Sequence, residues 1–125
     1  MSNDWRCRRM DSKELIKCTF DLSKTELRIF LHLLKTNSAI PSVDIAKEID
    51  LDRTTIQKSL KRLLEKGIVD RRQNNLDNGG YVFLYCVKKR DLLKEKMREI
   101  IGDWKNSAEL QLETIFESES IHAKA

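Results

Sequence analysis

The segment IAKEIDLDRTTIQKSLKRLLEKGIVDRR, residues 45–72, decides the fold. Apolar residues recur at helical spacing on both sides of a short link, residues 50–52. Gly67 then stands where a left-handed residue commonly follows the end of a helix. Two helices joined by so short a link form a helix-turn-helix.

Three positions within this segment fit the packing of a helix-turn-helix. Ala46 is the small residue needed where the two helices cross, Leu51 fills the turn, and Ile56 anchors the second helix. Asp50 opens the turn in a left-handed conformation, which Asp tolerates at some cost. Ser42 is predicted to cap the first helix.

The second helix, predicted over residues 53–66 with Asp52 as its cap, is strongly basic. The chain has 24 basic and 20 acidic residues, yet this helix holds one acid, Glu65, against five bases. A basic run on an isolated helix is usually a solvated face. On the second helix of a helix-turn-helix, the same charges favour contact with DNA. The five basic residues are Arg53, Lys58, Lys61, Arg62 and Lys66.

Two β-strands are predicted after Gly67. Residues 68–73 and 81–87 are rich in β-branched and aromatic side chains, and the segment between them, NNLDNGG, is dense in turn formers. A hairpin that directly follows a helix-turn-helix makes a winged helix. Residues 39–41 can add a third strand to the small sheet.

Residues 45–72, with the link LLEKGIV between helix and hairpin, resemble the winged-helix domains of the TrmB and MarR families of transcriptional regulators. The resemblance covers residues 20–90 and implies binding of double-stranded DNA, with a recognition helix in the major groove and a wing beside it. It does not extend to the large sugar-binding domain of full-length TrmB regulators. For a small-molecule effector, the resemblance implies a crevice near Trp104.

Two kinds of DNA contact are predicted from residue type and position. Side chains in the first turns of the recognition helix reach deepest and are assigned to base edges, and the later basic residues are assigned to phosphates. Ser42 can bind a phosphate together with the free N–H groups of its helix. In the wing, Arg71 and Arg72 are expected to flank the turn and Asn78 to lie near its tip, where Asp77 would repel phosphate. The candidates for bases are Arg53, Thr54, Thr55 and Gln57, and those for phosphates are Lys58, Lys61 and Arg62.

Two helices are predicted ahead of the helix-turn-helix. Ser23 and Glu26 match a capping box at the start of a helix over residues 24–35. A shorter helix is expected over residues 12–18.

A long amphipathic pattern follows the hairpin over residues 89–118, interrupted by Gly102. A helix of about 28 residues is about 42 Å long, more than so small a domain can cover. Pairing with a second copy in a two-fold homodimer is therefore predicted, with Trp5 and Leu15 packed across the helix. The alternative is a stripe that folds back on its own domain. The predicted interface residues are Leu93, Met97, Ile100, Ile101, Trp104, Ala108, Leu112 and Ile115.

Composition fits a single compact protein of mainly α class with a small β-hairpin. The 125 residues are 40% hydrophobic, with 1 Pro and 4 Gly. No apolar run approaches the roughly 20 residues that span a bilayer, so a cytoplasmic protein is expected. Four parts are predicted. Residues 1–20 are an N-terminal segment of the dimer interface, residues 21–88 the winged helix-turn-helix, residues 89–118 the dimerisation helix and residues 119–125 a flexible tail.

Three cysteines, Cys7, Cys18 and Cys86, form no C-x-x-C pair and have no histidine near them in sequence. We therefore expect no zinc site and no cofactor. Cys18 and Cys86 are predicted to be buried as small apolar residues. Cys7 has basic neighbours that favour its thiolate, which makes it a candidate for redox sensing beside the commoner inert interpretation.

The sequence contains no catalytic arrangement. It has no paired carboxylates in an apolar pocket, no Gly-rich phosphate loop and no nucleophile with its base. No enzyme is therefore predicted. His32 is expected in the core or at an interface. Two other functions stay open: a winged-helix module that binds an acidic protein through its basic helix, and binding of structured RNA.

Overall fold

The computed structural model describes residues 10–124, with side chains described as far as residue 117. In this range the chain is mostly helical and carries a small antiparallel sheet, so the predicted class, a winged helix-turn-helix with a long C-terminal helix, is confirmed. The elements are α1 Ser12–Phe20, α2 Lys24–Thr36, β1 Ile40–Pro41, α3 Ser42–Ile49, α4 Arg53–Glu65, β2 Val69–Asn75, β3 Tyr81–Val87 and α5 Arg90–Lys124.

The core of the winged domain lies between α2, α3, α4 and the start of β2. Its side chains come largely from one apolar face of each helix, because residues three and four apart share one face of a helix. Burying each large aliphatic side chain stabilises the fold by about 1.5–3 kcal/mol. The largest fully buried residues are Ile29, Leu33, Ile45, Ile56, Leu60, Leu63, Ile68 and Val69.

The turn of the helix-turn-helix forms as its sequence predicts. Asp50 adopts the left-handed conformation with φ 55°. Its N–H and that of Leu51 both donate to the Ala46 carbonyl at the end of α3. Asp52 caps α4, since its side chain accepts a hydrogen bond from the Thr55 N–H at 3.2 Å.

The predicted N-cap of α3 is wrong. Pro41, the last residue of β1, occupies the cap position, and Ser42 is the first helical residue. Proline fixes φ near the value that a chain entering a helix needs, so the helix begins directly after it. No side chain caps α3.

The sheet has the strand order β1–β3–β2, which confirms the predicted third strand. β2 runs two residues beyond its predicted end at residue 73, so that Asn75 lies opposite Tyr81. The hairpin loop is therefore residues 76–80 rather than 74–80. Gly79, with φ 96°, supplies the positive φ that this tight loop requires.

The long helix α5 reaches Lys124, beyond the residue 118 predicted from the apolar pattern, and Gly102 does not interrupt it. The chain divides into two compact units after Leu93. Leu93, predicted as an interface residue, is 6% exposed and belongs to the winged unit.

Both described cysteines depart from the prediction of burial, since Cys18 is exposed and Cys86 half-buried. Cys18 lies in α1, where only Phe20 is fully buried. Trp5 and the candidate redox residue Cys7 lie outside the described residues. No helix in the described part of the chain has the length and apolar character needed to cross a membrane.

Candidate nucleic-acid interface

The first half of α4 presents a polar and basic face to solvent. Ile56, Ser59, Leu60 and Leu63 are buried, and most of the other side chains of this half are exposed. Within residues 10–117, none of the basic residues on this face has a carboxylate within 4.0 Å. The exposed residues are Arg53, Thr54, Gln57, Lys58 and Lys61.

A hydrogen bond joins two of the predicted DNA-contact residues. Gln57 Nε2, in α4, donates to Ser42 Oγ, in the first turn of α3, at 2.9 Å. The bond links the two helices of the helix-turn-helix at their solvent side. It holds the glutamine amide beside the uncapped N-terminus of α3.

Thr55 differs from its neighbours because its hydroxyl is already engaged. The hydroxyl donates to the Asp52 carboxylate, which also accepts the Thr55 backbone N–H. These two bonds, the hydroxyl first, hold the pKa of Asp52 below its usual value of 3.8. Thr55 therefore orders the start of α4.

Of the five basic residues in and directly after α4, the two nearest its carboxyl end contact other parts of the domain. Arg62 Nη1 lies 3.4 Å from Oε2 of Glu26, a residue only 3% exposed at the start of α2. Lys66 Nζ donates to the Phe20 carbonyl at 3.0 Å and to the Asp21 carbonyl, and so caps the carboxyl end of α1. The basic residues of this helix thus form two groups. Arg53, Lys58 and Lys61 are exposed on its surface, and Arg62 and Lys66 bond to other parts of the domain.

The wing places its two arginines on opposite faces. Arg71 pairs with Tyr85 and Arg72 with Leu84, in the middle of the strands, so the prediction that they flank the turn is wrong. Consecutive side chains of a strand point to opposite sides of the sheet. The Arg71 guanidinium lies 4.1 Å from the centroid of the Phe83 ring, and Asn78 is exposed in the loop.

An aromatic pair on the wing was missed from the sequence. Tyr81 is 59% exposed, and its ring meets Phe83 edge to face with 5.3 Å between centroids. Their two-residue spacing puts both rings on the Arg71 face, as Arg71 lies opposite Tyr85. The alternation in YVFLYCV could have predicted this face.

His32 contacts a neighbouring helix rather than the core. Its Nε2 lies 2.6 Å from Oε1 of Glu48, and its side chain is 21% exposed. Of the two predicted places, core or interface, the structure thus gives His32 a half-buried position where α2 meets α3. No group of three His, Cys, Asp or Glu side chains in the described range could hold a metal ion.

Helix α5 carries large apolar side chains that are exposed in the single chain. Trp104 is 72% exposed, and Ile101, Leu112 and Ile115 are also open to solvent. The remaining predicted interface residues, Met97, Ile100 and Ala108, are half-buried. Leu110 and Phe116, absent from the predicted interface set, are exposed as well.

Residues 16–90, the winged domain described above, match the family described as sugar-specific transcriptional regulator TrmB. The chain belongs to the TrmB family of transcriptional regulators. The family resemblance predicted from residues 45–72 is confirmed, and the regulator is not an enzyme.

Similar proteins occur among archaea. An uncharacterized protein of Methanocaldococcus jannaschii is 31% identical over 99 residues, which cover 79% of this chain and 81% of the relative. A solved structure described as a possible transcriptional regulator from Methanosarcina mazei Go1 is 30% identical, with a TM-score of 0.77, over 90% of this chain and 94% of that chain. A protein from Sulfolobus tokodaii shares the fold at 21% identity, with a TM-score of 0.64, over 77% of this chain and 93% of that chain.

Proposed function

We propose that this regulator binds double-stranded DNA with sequence preference as a homodimer, with α4 in the major groove and the β2–β3 wing beside it. The observation that carries the proposal is the exposed first half of α4, where basic and amide side chains have no carboxylate partner among the described residues. Such side chains serve both phosphate and base contacts.

Base contacts are assigned to the exposed start of α4. Arg53 and Gln57 can make the paired hydrogen bonds that read guanine and adenine, and Thr54 can bond to either base edge. Thr55, whose hydroxyl bonds to Asp52, would present its methyl group and hold the helix end in place.

Phosphate contacts are assigned to Lys58, Lys61 and Arg62, with Ser42 on α3. Arg62 is 68% exposed although it faces Glu26, so its other N–H groups remain open to a phosphate. The first turn of α3 has no side-chain cap, and its N–H groups can bind a phosphate beside Ser42.

In the wing, Arg71, Arg72 and Asn78 are the proposed contacts. Arg72 faces the other side of the sheet, so the two arginines would reach different parts of the backbone of one DNA duplex.

The homodimer would form through α5. A helix of 35 residues extends about 52 Å, and a surface with exposed Trp104 and Ile115 is unusual for a protein that stays monomeric. A two-fold axis would present two copies of α4 to half-sites about one helical turn apart. The proposed interface keeps Met97, Ile100, Ile101, Trp104, Ala108, Leu112 and Ile115, and leaves out Leu93.

The test is selection of bound fragments from a random duplex library at two salt concentrations. Wild type, Arg53→Ala and Gln57→Ala are compared with Arg98→Ala, a control residue on α5 that faces Glu95. We expect an enriched inverted repeat that loses base preference in the first two variants and persists in the control. Weak binding without enrichment, unchanged by Arg53→Ala and Gln57→Ala, would contradict DNA reading and favour an acidic protein partner.

A further inference from the structure

A second group of basic side chains surrounds a depression on the winged unit. The depression has a volume of about 690 Å³. Its lining comes from α1, α2, the last residue of α3 and the first residue of α5, with no residue of α4 or the wing. Four basic residues line it, namely Lys13, Arg28, Lys35 and Arg90, together with His32.

Two arginines of this basic depression are held in place by main-chain carbonyls. Arg28 Nη2 donates to the Ile49 carbonyl at 2.9 Å, and Arg90 Nη2 donates to the Leu34 carbonyl at 3.1 Å. These carbonyls lie in the last turns of α3 and α2, where no further helical N–H follows to bond them. A guanidinium has five N–H donors, so most donors of each arginine are left for another acceptor.

The charge around the depression is not balanced. Among the described residues, neither Arg28 nor Arg90 has a carboxylate within 4.0 Å. His32, which also lines the depression, is bonded to the Glu48 carboxylate. Like charges around one hollow repel one another, and an anion bound between them would remove that repulsion.

The floor of the depression is apolar. Leu31, Leu34 and Ile49 contribute to its lining and are half-buried. Ligand sites typically combine such an apolar floor with a few fixed polar groups, in volumes of about 300–1,000 Å³. The depression therefore suits an anion that also carries some apolar surface.

We propose that the basic depression binds a small organic anion with two or more phosphate or carboxylate groups. Arg28 and Arg90 would each give paired hydrogen bonds to an anionic group, and Lys35 and Lys13 would supply further charge. The proposal goes beyond DNA binding and does not rest on it, because no lining residue belongs to the proposed DNA surface.

The test is isothermal titration calorimetry on the full chain in the absence of DNA. Inorganic pyrophosphate is the titrated probe, and the ionic strength is kept constant. Arg28→Gln and Arg90→Gln remove the charge but keep a donor for the main-chain carbonyl. Lys35→Gln removes a charge whose side chain makes no described hydrogen bond. The matched controls are Lys24→Gln on α2 and Lys96→Gln on α5, two exposed lysines that do not line the depression.

We expect one-to-one binding that Arg28→Gln and Arg90→Gln each weaken about tenfold or more, and Lys35→Gln about threefold, since charge-assisted hydrogen bonds dominate such sites. The two control variants should change the affinity less than about twofold. Repeating the titration with citrate tells whether carboxylate is accepted as well as phosphate. Absence of saturable binding to both probes, or equal weakening by the two control variants, would overturn the proposal.

Discussion

Glu26 joins the start of α2 to α4 through both of its carboxylate oxygens. Oε1 accepts the Ser23 N–H at 3.1 Å, as in a capping box, and Oε2 lies 3.4 Å from Nη1 of Arg62. The carboxylate is almost fully buried, whereas the guanidinium is mostly exposed. A buried acid with two fixed partners thus orients α4 from within the domain.

Replacing Glu26 should destabilise the winged domain by an amount that depends on the new side chain. Glu26→Ala removes both bonds and should lower the free energy of unfolding by about 1–3 kcal/mol. Glu26→Gln keeps an acceptor for Ser23 and should lose less. Urea unfolding measures both, with Lys24→Ala as an exposed control in the same turn. An alanine variant as stable as that control would contradict this role.

The bond between Gln57 and Ser42 should make their contributions to DNA binding interdependent. Ser42→Ala frees the Gln57 amide, so a later Gln57→Ala change should cost less than it does in wild type. We expect a coupling free energy of about 0.5–2 kcal/mol in a double-mutant cycle. Fluorescence anisotropy with the selected duplex measures the four affinities. Strict additivity would show that the bond plays no part when DNA is bound.

The basic residues of α4 should separate into two groups by salt dependence. Lys58→Ala and Lys61→Ala should each reduce the slope of log affinity against log salt by about 1, because each removes a phosphate contact. Lys66→Ala should leave the slope unchanged and lower stability instead, since Lys66 bonds to the Phe20 and Asp21 carbonyls. Salt titrations of DNA binding and urea unfolding of the three variants distinguish the groups. An equal slope change in all three would refute the division.

Asp52 should make stability depend on pH in the acidic range. Its pKa is lower in the folded chain than its usual 3.8, first through the Thr55 hydroxyl, so folding favours the ionised form. The resulting stabilisation is fully present above that usual value and is lost as pH falls through the lowered folded pKa. Asp52→Asn keeps a cap but cannot titrate there, so its stability should fall less between about pH 5 and pH 2.

Urea unfolding of wild type and Asp52→Asn across that range measures the difference. Asp77→Asn in the hairpin loop is the matched control, an acid with no described hydrogen bond. Parallel pH profiles for wild type and Asp52→Asn would disprove the assignment.

Charge placed on the apolar face of α5 should separate the proposed dimer. Trp104→Asp and Ile115→Asp each put a carboxylate where a second copy would bury an apolar side chain, which costs several kcal/mol. Sedimentation equilibrium should show dimers for wild type and monomers for these variants. Asn106→Asp adds the same charge on the polar side of the helix and should remain dimeric. A monomeric wild type would exclude the interface.

The helix-turn-helix could be predicted from sequence because its determinants are local. The apolar spacing around Ile56, the left-handed Asp50 and the cap Asp52 act within a few residues of one another. The partners of Arg62 and Lys66 could not be predicted, since they lie 36 or more residues away and depend on packing. The predicted end of β2 was two residues too early, because Asn74 and Asn75 were assigned to the turn. In the structure both residues pair with β3 and extend the strand.

The anchoring of α4 at one end has a consequence for its motion. Arg62 and Lys66 tie the carboxyl end of the helix to Glu26 of α2 and to the Phe20 and Asp21 carbonyls, whereas the hydrogen bond that ties its amino half to α3, from Gln57 to Ser42, is exposed. A rod fixed at one end is displaced most at the other, so amplitude should grow toward Arg53. Amide exchange within α4 should therefore be fastest in its first turn, which would leave the end proposed to contact bases room to adjust to the groove.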